Sequence, residues 1–263
     1  MERHKKTRLF LVLFSLGFLG VASLVLIDVS AIIALIPGID APTMPPALLK
    51  LLSLVQPSVI HALAVVIGVA LAPRVGLSAP AAEAVASGGD VFKPLKSQFA
   101  PGVLGGLAGG ICIVLISLIS RQFLSAPVVD RIAKFSAVVP FPTRILYGGI
   151  TEELLLRWGF MTLIVWAASR VLQKNQNHPR GGFFVGAILV SSLVFGAGHL
   201  PVAYVLLPEF FNGALVLFVI FANSAFGLIA GYLYWKRGLE SAMIAHIFCH
   251  LLLALASWTG AYF

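Results

Sequence analysis

The chain has 263 residues, 59% of them hydrophobic and 11% charged, and its mean hydropathy is +1.00. A soluble domain of that length is about one quarter charged and could not hide so much apolar surface, so the solvent of most of this chain is lipid. The net charge of +8 does not point to nucleic acid, because the bases sit at the N-terminus and mostly in short segments between apolar runs, the distribution that sets membrane topology.

Met1–Arg8 is basic and is followed by Leu9–Ile27, nineteen residues without a charge. That run is long enough to cross a ~30 Å hydrocarbon core and too long for the apolar part of a signal peptide, and no clear A-x-A site follows it. It reads as a retained first helix. Six further runs of spanning length follow at Val55–Ala72, Gly102–Ile119, Ile145–Ala168, Phe183–Leu200, Leu215–Trp235 and Leu239–Trp258. Helices are expected throughout, since an unpaired backbone group in lipid costs several kcal/mol and the runs lack the alternation of barrel strands. The expected fold class is all-α: a polytopic membrane helix bundle of about seven transmembrane helices, with eight possible, forming a single transmembrane domain over residues 1–263. Pro37–Pro46 and the Ala-, Ser- and Gly-dominated Pro80–Gly89 read as loops, the second as a flexible linker. Cys112 and Cys249 fall inside apolar runs and read as small core residues rather than a disulfide.

Arg3, Lys5, Lys6 and Arg8 place the N-terminus in the cytoplasm. Seven spans then leave Arg74, Lys93, Lys96, Arg170, Lys174, Arg180, Lys236 and Arg237 inside and Pro201–Asn212 outside. The segment Arg121–Arg144 breaks the pattern, because Arg121, Arg131, Lys134 and Arg144 would be external. An interfacial helix or a further span would account for it. Gly105-x-x-x-Gly109, Gly106-x-x-x-Gly110 and Gly227-x-x-x-Gly231 mark close helix contacts.

A charge at bilayer depth costs at least ~2.5–3.5 kcal/mol, so the ionisable residues left inside spans are the informative ones. Of ten acidic residues, Glu2, Asp28, Asp40, Glu83, Asp90, Asp130, Glu209 and Glu240 fall in termini, loops or helix ends, whereas Glu152 and Glu153 lie well inside a span. Arg157 is the base clearly within a span, one helical turn beyond Glu153. A Glu153–Arg157 ion pair can be purely structural, letting the helix insert by neutralising both charges. It leaves Glu152, about 100° further round an α-helix, with no partner in its own segment. Glu152 must therefore carry a proton or meet a group on another helix.

Histidines supply the other polar positions, with His61, His199, His246 and His250 in spans. Phe195-Gly-Ala-Gly-His199 sets a histidine one turn from Phe195 with small residues between, which let another group approach the backbone. His246 and His250 are four apart and share one helix face, where two imidazoles can bind a metal, polarise a carbonyl or form a polar seam between helices. His61 and Asn223 have no clustered companion and read as structural hydrogen-bonding residues.

In order along the chain, Glu152-Glu153-Leu-Leu-Leu-Arg157, Phe195 to His199 and His246 to His250 resemble the E-E-x-x-x-R, F-x-x-x-H and H-x-x-x-N/D motifs of the CPBP membrane proteins. That family comprises CAAX-prenyl endopeptidases and bacteriocin-processing or Abi proteins. The likeness covers about the last 120 residues. It implies an intramembrane endopeptidase whose catalytic helices lie in 144–258, in a bacterial inner membrane, acting on a membrane-anchored or lipid-modified peptide or protein. The family's roles, carried onto this chain, give Glu152 and His199 the activation of water and His246 and His250 the oxyanion. Glu153 joins them as a candidate, with Arg157 and Phe195 in support. His250 departs from the family, which has Asn or Asp there. An imidazole can still donate to an oxyanion. The preferred reading needs no cofactor, but three histidines also open a route in which His199, His246 and His250 bind Zn²⁺ and a glutamate is the base.

Two other classes stay open from the residues alone. Buried Glu, His and Arg also build the proton relays of transporters, although no inverted repeat is visible. A non-catalytic peptide-binding or immunity protein would carry the same polar cluster. At ~1.5 Å per residue, straight helices put Glu152 and His199 toward one membrane face and His246 toward the other. Bringing all three together requires tilted helices or a Lys236–Gly238 turn that sits deeper than a surface loop.

Overall fold

The computed structural model describes residues 2–39, 44–173 and 178–262; Asp40 and Lys174 lie outside the described residues. Among the described residues there is no strand, and seven helices are long and apolar enough to cross a membrane. They are His4–Leu26, Pro46–Val75, Phe92–Ser120, Phe141–Leu172, Gly181–Leu206, Gly213–Arg237 and Leu239–Trp258. Each contains or closely overlaps one of the runs read from hydropathy, and together they form an all-α polytopic bundle.

In chain order, α1 is Glu2–Ser23, α2 Val29–Ile33, α3 Pro46–Val75, α4 Pro80–Ser87, α5 Phe92–Ser120 and α6 Ala126–Val138. The fourth span, Phe141–Leu172, is α7. The rest are α8 Gly181–Gly198, α9 Leu200–Leu206, α10 Gly213–Arg237 and α11 Leu239–Trp258.

Two stretches differ from the sequence reading. Pro80–Gly89 is a helix rather than a flexible linker. Its proline stands in the first turn, where no backbone donor is needed, and alanine is the strongest helix former. Glu83 Oε1 accepts from the Ala79 amide at 3.0 Å, and Gly88 ends the helix at φ +70°. The stretch Arg121–Arg144 contains α6, too short at thirteen residues to span, with an exposed Asp130–Lys134 pair at 2.7 Å on its outer side. Of the two explanations for its misplaced bases, the interfacial helix is the one that fits.

Glycine determines how closely the spans meet. A Cβ on Gly102, Gly106 or Gly110 would strike Ile244, the Ala245 carbonyl or Leu252 of α11; one on Gly105 or Gly109 would strike Leu233 or Phe226 of α10. Two adjoining glycine lines on α5 therefore seat two helices. Gly227 and Gly231 of α10 do the same against Ser192 and Ile188 of α8. On the other side α1 docks on α7, where Thr151 Oγ1 donates to Gly17 O at 2.7 Å and Thr143 Oγ1 to Ser23 O at 2.9 Å. His61 is fully buried between α1 and α3, stacked on Phe14 and bonded through Nε2 to Phe14 O at 3.0 Å. It is structural, as its isolation in the sequence suggested.

The turn between α10 and α11 is buried. Leu239 and Ser241 have no exposed surface, because α4 and the start of α5 cover them. The Leu239 amide donates to Ser78 O (3.1 Å), the Ala82 amide to Glu240 Oε1 (2.8 Å) and the Ser241 amide to Gln98 Oε1 (3.0 Å). Glu240, read as a helix-end acid, is 9% exposed. The first turns of α11 are thus covered by protein, and one turn further on His246 meets Glu153 of α7.

Candidate active site

The fourth span is not a regular α-helix. Arg144–Glu152 and Leu154–Met161 are π-helical, the register in which an amide bonds five residues back instead of four, as the Thr162 amide does to Arg157 O. Such segments are rare and concentrate at functional sites. The wider register is visible in the side chains, since Thr162 Oγ1 reaches Arg157 O, five residues back, at 3.2 Å. It also changes which residues share a face, so the 100° step expected between Glu152 and Glu153 does not apply.

Behind the site lies a buried charge cluster. Glu153 and Arg157 are both fully buried and pair at 3.2 Å (Oε2 to Nε), as their spacing predicts. The guanidinium also donates through Nη2 to Gly227 O at 3.1 Å and lies 5.1 Å from the Phe195 ring and 6.0 Å from the Phe226 ring. The other oxygen of Glu153 is 2.8 Å from His246 Nδ1. A carboxylate held by an always-charged guanidinium accepts, so Nδ1 of His246 carries the proton and Nε2 is left for the cavity side. Glu152 Oε2 stands 4.0 Å from that Nε2, and its side chain is 20% exposed. Glu152 thus comes close to an imidazole of α11 without a hydrogen bond to it.

The two last histidines stack with ring centres 4.8 Å apart and planes at 13°. Phe226 covers His246 at 4.3 Å. Nε2 of His250 is buried with no hydrogen-bond partner, and it lies against the bare Cα of Gly148, where a Cβ would come within 2.5 Å of it. Gly148 therefore makes the room for an imidazole at 250. His199 ends α8 at its break from α9, with Nδ1 bonded to Phe195 O at 2.8 Å. Phe195 stands edge-on to both His199 (5.0 Å) and His246 (5.9 Å), spacing the two rings.

Glu152, Phe195, His199, His246 and His250 all line one cavity of about 410 Å³. Glu153 and Arg157 do not reach it and act from behind. Among the described residues no three His, Cys, Asp or Glu side chains are grouped so as to hold a metal ion. The set His199, His246 and His250 is not assembled as ligands in this arrangement.

Other cavity residues escaped the sequence reading. Asn223, taken as an interhelical bond, does bond within its own helix (Nδ2 to Val219 O, 2.8 Å) but also lines the cavity. Tyr147, Arg144, Arg131 and Tyr262 line it too. The Gly148-Gly149 pair just before Thr151 was the available signal for a close approach on α7; nothing in the pattern marks Tyr262. Tyr262 lies beyond the last span, and burial, with the nearby Cys249 adding and Arg144 opposing, pushes its hydroxyl up to about 12. It is a neutral hydrogen-bonding group at physiological pH.

Residues 134–252 match the family model described as Type II CAAX prenyl endopeptidase Rce1-like. No curated protein and no solved structure matches the chain. The matched stretch runs from the end of α6 through most of α11 and contains every residue of the charge cluster and its histidines. The motif order and this match agree: over residues 134–252 the chain is similar to the Rce1-like type II CAAX prenyl endopeptidases.

Proposed function

We propose that the chain is a glutamic-type intramembrane endopeptidase that hydrolyses a peptide bond of a membrane-associated or lipid-modified protein or peptide in this cavity. The observation that carries the reading is that Glu152, His199, His246 and His250 line one cavity, with Glu152 4.0 Å from His246 and the Glu153–Arg157 pair fixing that imidazole from behind.

Glu152, assisted by His199, takes a proton from a water whose oxygen bonds to the scissile carbonyl carbon. The carbonyl electron pair moves onto oxygen, where His246 and His250 face it. Collapse of the adduct breaks the C–N bond, and the leaving amine takes the proton from Glu152. His246, held by Glu153 through Nδ1 at 2.8 Å, can donate from Nε2 once it also carries a proton there. Nε2 of His250, which has no partner, is the nitrogen with a hydrogen bond still to make. Arg157 and Phe195 position the imidazoles and touch no substrate.

We read the chain as a single transmembrane domain with its catalytic helices in 144–258, in a bacterial inner membrane with the N-terminus cytoplasmic, an orientation that the bases at the N-terminus support. Glu152→Gln in the full chain, reconstituted with its membrane-anchored peptide substrate, should lower cleavage about 10²–10⁴-fold while the protein stays folded and inserted. Cleavage at the wild-type rate would refute the assignment. Stoichiometric zinc in the purified protein, lost in His250→Ala, would replace the water-on-glutamate route with the metal-assisted one.

A further inference from the structure

The cavity has a second polar region that the reaction does not use. Seven alternating spans put the end of α1, the start of α7, the end of α9, the start of α10 and the end of α11 at one membrane face. Residues from all of these line the cavity, and α6 lies across them, so the cavity opens at that face. Arg131 of α6 and Arg144, near the start of α7, both line it. Each is half-buried, and the hydrogen bonds seen for each among the described residues go to backbone carbonyls. Arg131 Nη1 donates to Leu206 O at 3.0 Å; Arg144 Nε donates to Val139 O at 3.1 Å and its Nη2 to Ser136 O. Neither pairs with a carboxylate among the described residues, and Glu152 is the one acidic residue of the lining.

Two guanidiniums cannot lose their charge, and backbone carbonyls alone do not neutralise it. Arg144 stands near the start of the fourth span and Arg131 on the short α6 that precedes it, and the wall beside them is apolar, formed by Leu24, Val202, Leu206, Leu215 and Phe218. An anion joined to a long apolar chain satisfies both halves of this environment. A substrate carboxylate would do so only while bound, whereas the bilayer holds phosphodiesters at the membrane face at all times.

We propose that Arg131 and Arg144 form a phosphate-binding subsite for a resident phospholipid, whose acyl chain lies along the apolar wall of the cavity. The lipid completes the mouth between α6 and α9, and a substrate enters beside it or by displacing it. Arg131 and Arg144 are two of the four bases whose place departs from the charge pattern of the other loops, and this binding gives a reason for them to stand where they do. The proposal concerns the cavity that we read as the active site, but its test needs no cleavage, so the two readings fail separately.

The full chain, purified gently and observed by native mass spectrometry, should retain one phosphatidylglycerol. The corresponding diacylglycerol, which lacks the phosphate, should not be retained. Retention should fall about tenfold or more in R131Q and in R144Q, the loss expected for a charge-assisted hydrogen bond. V202W, which fills the apolar wall and leaves both arginines in place, should also release the lipid. Inorganic phosphate binding with equal affinity would overturn the lipid part of the proposal. Equal retention of phospholipid by the arginine variants, or displacement by peptides only when they bear a free carboxylate, would overturn the subsite itself.

Discussion

Glu152 and Glu153 are neighbours in sequence with opposite environments, and single substitutions should separate them. Glu153 is buried between Arg157 and His246, so Glu153→Gln leaves a buried guanidinium without its counter-charge. A broken buried pair costs about 3–5 kcal/mol, and the unfolding midpoint in detergent should fall accordingly. Glu152→Gln faces the cavity and should leave that midpoint nearly unchanged while cleavage is lost. His250 invites a similar contrast. His250→Asn keeps a donor and should retain most activity, whereas His250→Ala should lower kcat by about 10²–10³, as for loss of an oxyanion donor. Equal rates for the two variants would remove His250 from the reaction. The charged members of the cluster were legible in the sequence because a charge in a span is too costly to be incidental. Tyr147 was not, because it resembles any interfacial aromatic, and Arg131 and Arg144 stood out only as bases on the wrong side of the charge pattern.

At the level of elements, hydropathy located every span but said little about the helices' internal geometry. Nothing in Arg144–Met161 announces a five-residue bonding register, since apolar content and helix propensity are alike in both forms. The glycine lines on α5 were partly legible as spaced small residues, while their partners on α10 and α11 were not. Gly106→Ala places a methyl into the Ala245 carbonyl, and overpacking of this kind costs about 1–3 kcal/mol. Its thermal midpoint should drop, whereas Gly186→Ala, with nothing nearby, should leave it unchanged. The C-terminal turn carries a pH signature. Tyr262 titrates at about 12 in the folded chain against 10 ordinarily, so its contribution to stability is complete below pH 10 and is lost as pH rises toward 12. Tyr262→Phe should flatten that part of the curve of midpoint against pH.

For the whole molecule, an odd number of spans puts Lys5 and Lys134 on opposite faces. Single cysteines at these positions, in a background lacking Cys112 and Cys249, should react with an impermeant reagent from opposite sides of right-side-out and inverted vesicles. Labelling of both from one side would change the span count and move the cavity mouth. The sequence left a conflict of depth among Glu152, His199 and His246 that hydropathy could not resolve, because hydropathy reports how long a span is and not where its first residue sits. In the folded chain the three nonetheless line one cavity, with Leu239 and Ser241 at the start of α11 covered by α4 and α5. That covering also bears on how the protein can be manipulated. Lys236–Gly238, two charges and a glycine between apolar runs, looks like a convenient place for an epitope or a protease site. Gly238 adopts φ +110°, with Pro80 and Gln98 packed where a side chain would begin. An insertion there would lift α4 off the bundle and draw His246 away from Glu153, so a tag at that hairpin should abolish activity without touching a residue of the cavity.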